Sequence, residues 1–156
     1  MSRSLARLIY RSRRPASPEA TRVAELRDIL ATARAHNDRE GLSGVLMHDE
    51  NWFIQILEGE PAALRDLYER IVRDPRHVDP VLLVVEPVLR RRYVGWSMAA
   101  IDLGLDARLV FLRLGLDPAA DRASLTVERI LAIADGFAGL GDLDFADADE
   151  ITVRVA

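Results

Sequence analysis

The chain has 156 residues, of which 49% are hydrophobic and 29% charged, enough for one domain with a substantial core and too apolar for disorder. It has no cysteine, and all 21 basic residues are arginine, which excludes disulfides, thiolate chemistry, a lysine Schiff base and a phosphate-loop lysine. The net charge of −4 argues against general nucleic-acid binding. No apolar run reaches membrane-span length, and residues 1–10 lack a signal-peptide pattern, so the expectation is a cytoplasmic protein with no membrane partner.

Residues 5–10 (LARLIY) read as a short strand, followed by a basic loop over 11–17. Ser17-Pro18 is a helix start, hydroxyl cap then proline. Val23, Leu26, Ile29, Leu30 and Ala33 then recur at helical spacing and predict a helix over 18–35. Gly41 and Gly44 serve the chain reversal that follows. Residues 45–47 and 52–57 are strands around the turn Asp49-Glu50-Asn51, and so form a hairpin. A second helix restarts at 58–61, carries Leu64, Leu67, Tyr68 and Ile71 on its apolar face, and ends at Asp74-Pro75. The near-continuous apolar run 81–85 predicts a central strand. Arg90-Arg91-Arg92 falls in a turn, and 95–101 is a fifth strand.

The order β-α-β-β-α-β plus one strand predicts an α+β, ferredoxin-like fold with both crossover helices on one sheet face. Three regions follow: 1–102 as the core domain, 103–141 as a helical extension, and 142–156 as an acidic tail read as loose. Within the extension, 106–114 is ambiguous between helix and strand. The amphipathic helix 125–140 is expected on the opposite sheet face, over Ile54 and Ile56. Residues 151–156 fit either an extra strand or a frayed end.

Strand parity singles out a few polar groups. Phe53, Gln55 and Leu57 share a face, as do Leu8, Tyr10 and Ser12, and as do Trp96, Met98 and Ala100. A buried amide without partners costs about 1–3 kcal/mol, so something must satisfy Gln55. Two readings fit these residues: a Tyr10–Gln55 hydrogen bond inside an ordinary core, or a polar ring of Tyr10, Asn37 and Gln55 around a planar ligand.

The ordered set Tyr10-Arg11-Ser12, His36-Asn37 with Gly41-Leu42-Ser43-Gly44, the run 53–59 (FIQILEG), Arg70 with Asp74-Pro75-Arg76-His77, and Trp96-Ser97-Met98 resembles a BLUF domain, a blue-light sensor that uses a flavin. The resemblance covers residues 5–101 and fades into the C-terminal helices. It implies FAD as cofactor, with FMN the alternative, lying between the two crossover helices. It implies that Tyr10 donates an electron and a proton and that Gln55 lies between tyrosine and flavin. Asn37 would hold the pyrimidine edge beside His36, with Ser12 also in the pocket. Arg70, Asp74, Arg76 and His77 would lie near the ribityl and phosphate end. Trp96 and Met98 would exchange exposure and relay the signal through the fifth strand to the C-terminal helices.

The implied function is a non-enzymatic photoreceptor, acting as a dimer or larger assembly on a separate protein. A flavin-free adaptor derived from the same fold, or a small acylphosphatase-type hydrolase, would be the alternatives. His36, His48 and His77 show no metal-ligand pattern, and His48 beside Asp49 reads as a surface hairpin residue. Arg11, Arg13, Arg14 and Arg90–Arg92 read as solvated loop charge.

Overall fold

The structure, a computed structural model, describes residues 4–104, 107–140 and 152–153. In chain order its elements are β1 (Leu5–Arg13), α1 (Glu19–Glu40), β2 (Ser43–His48), β3 (Trp52–Gly59), α2 (Pro61–Arg73) and β4 (Val78–Val88). They continue with β5 (Ala99–Asp102), α3 (Arg108–Arg113), a 3-10 turn (Arg122–Ser124), α4 (Val127–Leu140) and β6 (Thr152–Val153). The sheet order is β4-β1-β3-β2-β5-β6. The first four strands are antiparallel neighbours, while β5 runs parallel to β2 and β6 parallel to β5. This is the expected ferredoxin-like unit with added strands.

Alternation along the strands builds two cores. On one face Leu8, Tyr10, Leu46, Phe53 and Leu57 pack with Leu30 of α1 and with Leu64 and Ile71 of α2. On the other, Ile9, Val45, Met47, Ile54 and Ile56 pack with Phe111 of α3 and with Ile130, Ile133 and Phe137 of α4. The last helix therefore lies where its amphipathic pattern put it. Burying its three large side chains is worth on the order of 5–8 kcal/mol before ordering entropy is charged. Gly44 lets β2 and β3 meet: a Cβ there would lie 2.1 Å from the Ile56 carbonyl oxygen. Gly41 closes α1 with φ of 68°, the left-handed cap that glycine adopts freely.

Several expectations change. The apolar strand is not central: β4 is an edge strand, and Val81, Leu82 and Val85 are exposed. Pro80 and Pro87 within it are the signal, because proline cannot donate to a ladder and is confined to edges. The first helix is capped by Pro18 with no side-chain hydrogen bond, and Ser17 takes no part in the cap. The fifth strand starts only at Ala99, so the parity assumed for Trp96 fails: it packs on the α4 side, whereas Met98 and Ala100 pack on the α1–α2 side. His48, expected at the surface, is buried, and burial lowers its pKa. Arg14 is buried as well. It donates to the carbonyls of Asp49 and Arg22, and its guanidinium lies 4.4 Å from the Phe53 ring. Helices α3 and α4 pack on the sheet, and of the tail 142–156 only 152–153 lies within the described residues, paired to β5. No helix among the described residues is long and apolar enough to cross a membrane.

Candidate functional site

The α1–α2 face of the sheet carries a chain of polar contacts inside apolar surroundings. Tyr10 and Gln55 are directly opposite in the β1–β3 ladder, so their side chains rise together on one face. The Tyr10 hydroxyl donates to Gln55 Oε1, and Gln55 Nε2 donates to Met98 Sδ at 3.4 Å. Tyr10 and Met98 are fully buried and Gln55 is 5% exposed. In this amide orientation Oε1 accepts the phenol proton and Nε2 faces the thioether. Burial, with Tyr68 and Asp74 nearby, pushes the Tyr10 hydroxyl well above its ordinary range, so it stays protonated as the donor.

Ser12 and His77 form a separate polar contact on the same face, with Ser12 Oγ 2.8 Å from His77 Nδ1. The His77 ring stands 5.9 Å from the Tyr10 ring and 5.0 Å from that of Phe53. Burial pushes the His77 pKa down to about 4, so the ring is neutral near pH 7 and is no cation for a phosphate.

At the C-terminal end of α1, Asn37 Nδ2 donates to the Ser97 carbonyl. That fixes Oδ1 as the outward acceptor, and Oδ1 is buried with no partner among the described residues. His36 is its neighbour. Arg70 Nη1 lies 3.4 Å from His36 Nδ1, and since arginine only donates, Nδ1 accepts and Nε2 carries the hydrogen. Nε2 is also buried without a partner among the described residues. Burial first, then the Arg70 charge, holds the His36 pKa low, which agrees with a neutral ring.

The remaining expected residues form a rim. Arg76 makes a two-pronged contact with Asp74, with Nη2–Oδ2 at 2.7 Å, and reaches Asp28 of α1 at 3.0 Å. The Arg76 hydrogen bonds hold the Asp74 carboxyl below its usual range. The structure thus brings Tyr10, Ser12, Gln55, His77 and Met98 into one cluster, with Asn37 tied to it through the 97–98 backbone. Arg70 and His36 bridge the helices, Asp74 and Arg76 are paired with each other, and Trp96 lies on the opposite face beside Tyr93, ring centroids 5.4 Å apart.

Two contributors were not singled out for the site from sequence. Tyr68 was read as helix packing, yet its ring is 5.6 Å from that of Tyr10. The Ser97 carbonyl is backbone, which no motif of side chains reports. The signal for Tyr68 was available: a hydroxyl-bearing residue on the inward stripe with Leu64 and Ile71.

The profile of the BLUF family, described as sensors of blue-light using FAD, matches residues 5–99. The chain belongs to the BLUF family. It is 30% identical over 125 residues to the blue light- and temperature-regulated antirepressor BluF of Escherichia coli, covering 80% of this chain and 30% of that protein. Two solved structures are similar in fold. BlrB, a BLUF protein in its dark state, has a TM-score of 0.74 and 28% identity and covers 89% of this chain and 98% of that one. BlsA in its photo-activated state has a TM-score of 0.74 and 30% identity over 84% of this chain and 92% of that one. The chain spans less than a third of the length of the first curated relatives it matches.

The residues present fit a flavin. Asn37 Oδ1 is an acceptor and His36 Nε2–H a donor, both buried and unpartnered among the described residues. A planar imide edge presents the complementary donor and acceptor groups. On the inward face of α1, Leu26, Ile29 and Ala33 are only partly buried, an apolar wall of the kind flat ligands lie against.

Proposed function

We propose that this chain is a flavin-loaded blue-light receptor in which Tyr10 and Gln55 form the switch and a separate protein receives the signal. The observation that carries this reading is the buried Tyr10–Gln55–Met98 chain. FAD is the cofactor proposed, held by Asn37 and His36 at its pyrimidine edge, with Arg70 and His77 beside it. When bound, the flavin supplies blue absorption and a strongly oxidising excited state.

Tyr10 contributes an electron together with its hydroxyl proton. Losing both at once avoids a charged phenol at a fully buried position. The hydrogen bond to Gln55 is the path by which the proton leaves, and Tyr10 regains both the electron and the proton before the lit state is established, so that the rearranged Gln55 hydrogen bonding is the lasting change. Gln55 suits the switch because one amide offers two donors and an acceptor. Its present Nε2 partner is a thioether, a weak acceptor, so turning or tautomerising the amide sacrifices little on that side. Met98 is then the first residue released, and its backbone belongs to the segment Asn37 holds through Ser97.

Substituting the switch residues tests this reading. Gln55→Leu is expected to bind flavin and lose the red-shifted lit spectrum, and Tyr10→Phe to bind flavin and lose most of its yield. A normal photocycle in either variant removes that residue from its role.

A further inference from the structure

Glu58 is fully buried and lies three residues after Gln55 on the same strand, on the opposite face. Its Oε1 accepts the backbone N–H groups of Arg92 and Tyr93 at 2.8 and 2.9 Å. Its Oε2 accepts Nε and Nη2 of Arg7 at 3.2 and 3.0 Å, and Arg7 also reaches Glu86 at 3.1 Å. Arg91 adds bonds to the Glu58 carbonyl and to Ser43 Oγ, at 3.0 and 2.9 Å. A buried carboxylate with four donors is a rigid post, since freeing any of them strands a buried polar group.

The segment 91–98 is therefore fixed to β3 at its start, while its end reports on the switch through Ser97 and Met98. Between these ends it passes from one face of the sheet to the other: Tyr93 and Trp96 pack in the α4-side core, Met98 in the Tyr10-side core. At the post, Arg92 reaches α4 itself, with Nε–Oδ1 of Asp135 at 3.1 Å and Nη2–Oδ2 at 2.8 Å. A side chain whose own amide is pinned by Glu58 thus grips the helix on the far face of the sheet.

We infer that Glu58 is a positioning residue that makes segment 91–98 pivot about its start, and that the Arg92–Asp135 pair is the contact through which that pivot reaches α4. The inference rests on the photoreceptor reading and adds a route to it. Release of Met98 removes the side-chain contact by which Gln55 holds this strap, whose backbone stays tied to Gly44, Asn37 and Arg34, and α4 feels the change in direction through a planar two-pronged contact rather than through apolar packing, which slides. Arg92 and Asp135 are each about two-fifths exposed, so replacing them spares the fold.

The test is amide hydrogen exchange along α4 in the flavin-loaded protein, dark against blue light, with absorption recorded on the same samples. Arg92→Ala and Asp135→Asn are expected to keep the absorption shift and to reduce the light-induced change in α4 exchange by about twofold or more. The exchanged pair Arg92→Asp with Asp135→Arg is expected to restore it, a rescue that loss of packing would not show. Glu58→Gln is expected to speed exchange of the Arg92 and Tyr93 amides in the dark, and should it fail to fold, the surface variants still decide the matter. An absorption shift with α4 unchanged in the unsubstituted protein, or an equal α4 change in Arg92→Ala, overturns the route alone. No absorption shift in the unsubstituted protein overturns the route and the photoreceptor reading together.

Discussion

Replacing Gln55 by leucine is the most informative perturbation, because its cost can be worked out from the partners it strands. The Tyr10 hydroxyl is fully buried and donates to Gln55 Oε1. Leucine has similar bulk but no acceptor, so the phenol keeps its desolvation penalty and loses its bond. Such a stranded group costs about 1–3 kcal/mol. The lost Nε2–Met98 contact, 3.4 Å to a thioether, adds little. In a domain of this size that is a fall in Tm of roughly 2–12 °C. Tyr10→Phe strands the amide oxygen instead and costs a similar amount. The double variant removes both partners, so its cost should fall short of the sum by about 1–2 kcal/mol. Urea denaturation in the dark, at several flavin concentrations, separates fold stability from ligand binding. Strictly additive losses would refute the reasoning, because they would mean the two groups satisfy each other in name only.

Burial of neutral His77 makes stability depend on pH. The folded-state pKa of about 4 lies below the ordinary 6.5, so the unfolded chain binds the proton first. Almost no stability is lost above about pH 7. On acidification about 2 kcal/mol goes by pH 5 and about 3 below pH 4, and denaturation curves for His77→Gln should be flatter over that window by this amount. Asn37→Ala removes the Asn37 carbonyl and the donor to Ser97, and is expected to weaken flavin binding about tenfold, read by quenching of flavin fluorescence; unchanged affinity would take Asn37 out of the pocket. Gly44→Ala sets a methyl group against the Ile56 carbonyl and is expected to cost about 3 kcal/mol or more, seen as a lowered Tm or insoluble protein.

What the sequence disclosed was whatever obeys a period. The two-residue alternation grouped Tyr10 with Leu8 and Gln55 with Phe53 and Leu57, and the ladder that sets Tyr10 opposite Gln55 joins the two groups on one face, while the helical stripe placed α4 over Ile54 and Ile56. What escaped was set by irregular backbone and by distant partners. Trp96 lost its parity because 95–98 precedes the strand rather than belonging to it. The apolar run of β4 suggested a central place. The edge position shows only in Pro80 and Pro87, whose missing N–H groups matter more than their neighbours' hydrophobicity. Glu58 and Arg14 carry charges that composition assigns to the surface. Both are buried because several donors or acceptors from remote segments converge on each, a fact about tertiary meeting points that local pattern does not encode. The ligand edge was similar: the motif named Asn37, but only the bond to Ser97 told which of its two amide atoms is free to face a cofactor.

The measurement that bears most directly on the whole account is the absorption spectrum of the purified, flavin-loaded protein in the dark, immediately after blue light, and during recovery. The account predicts a flavin spectrum that moves slightly to the red on illumination and returns in darkness. A flavin spectrum that bleaches or stays fixed, or a protein that takes up no flavin at all, would contradict it and leave the Tyr10–Gln55 pair as core hydrogen bonding.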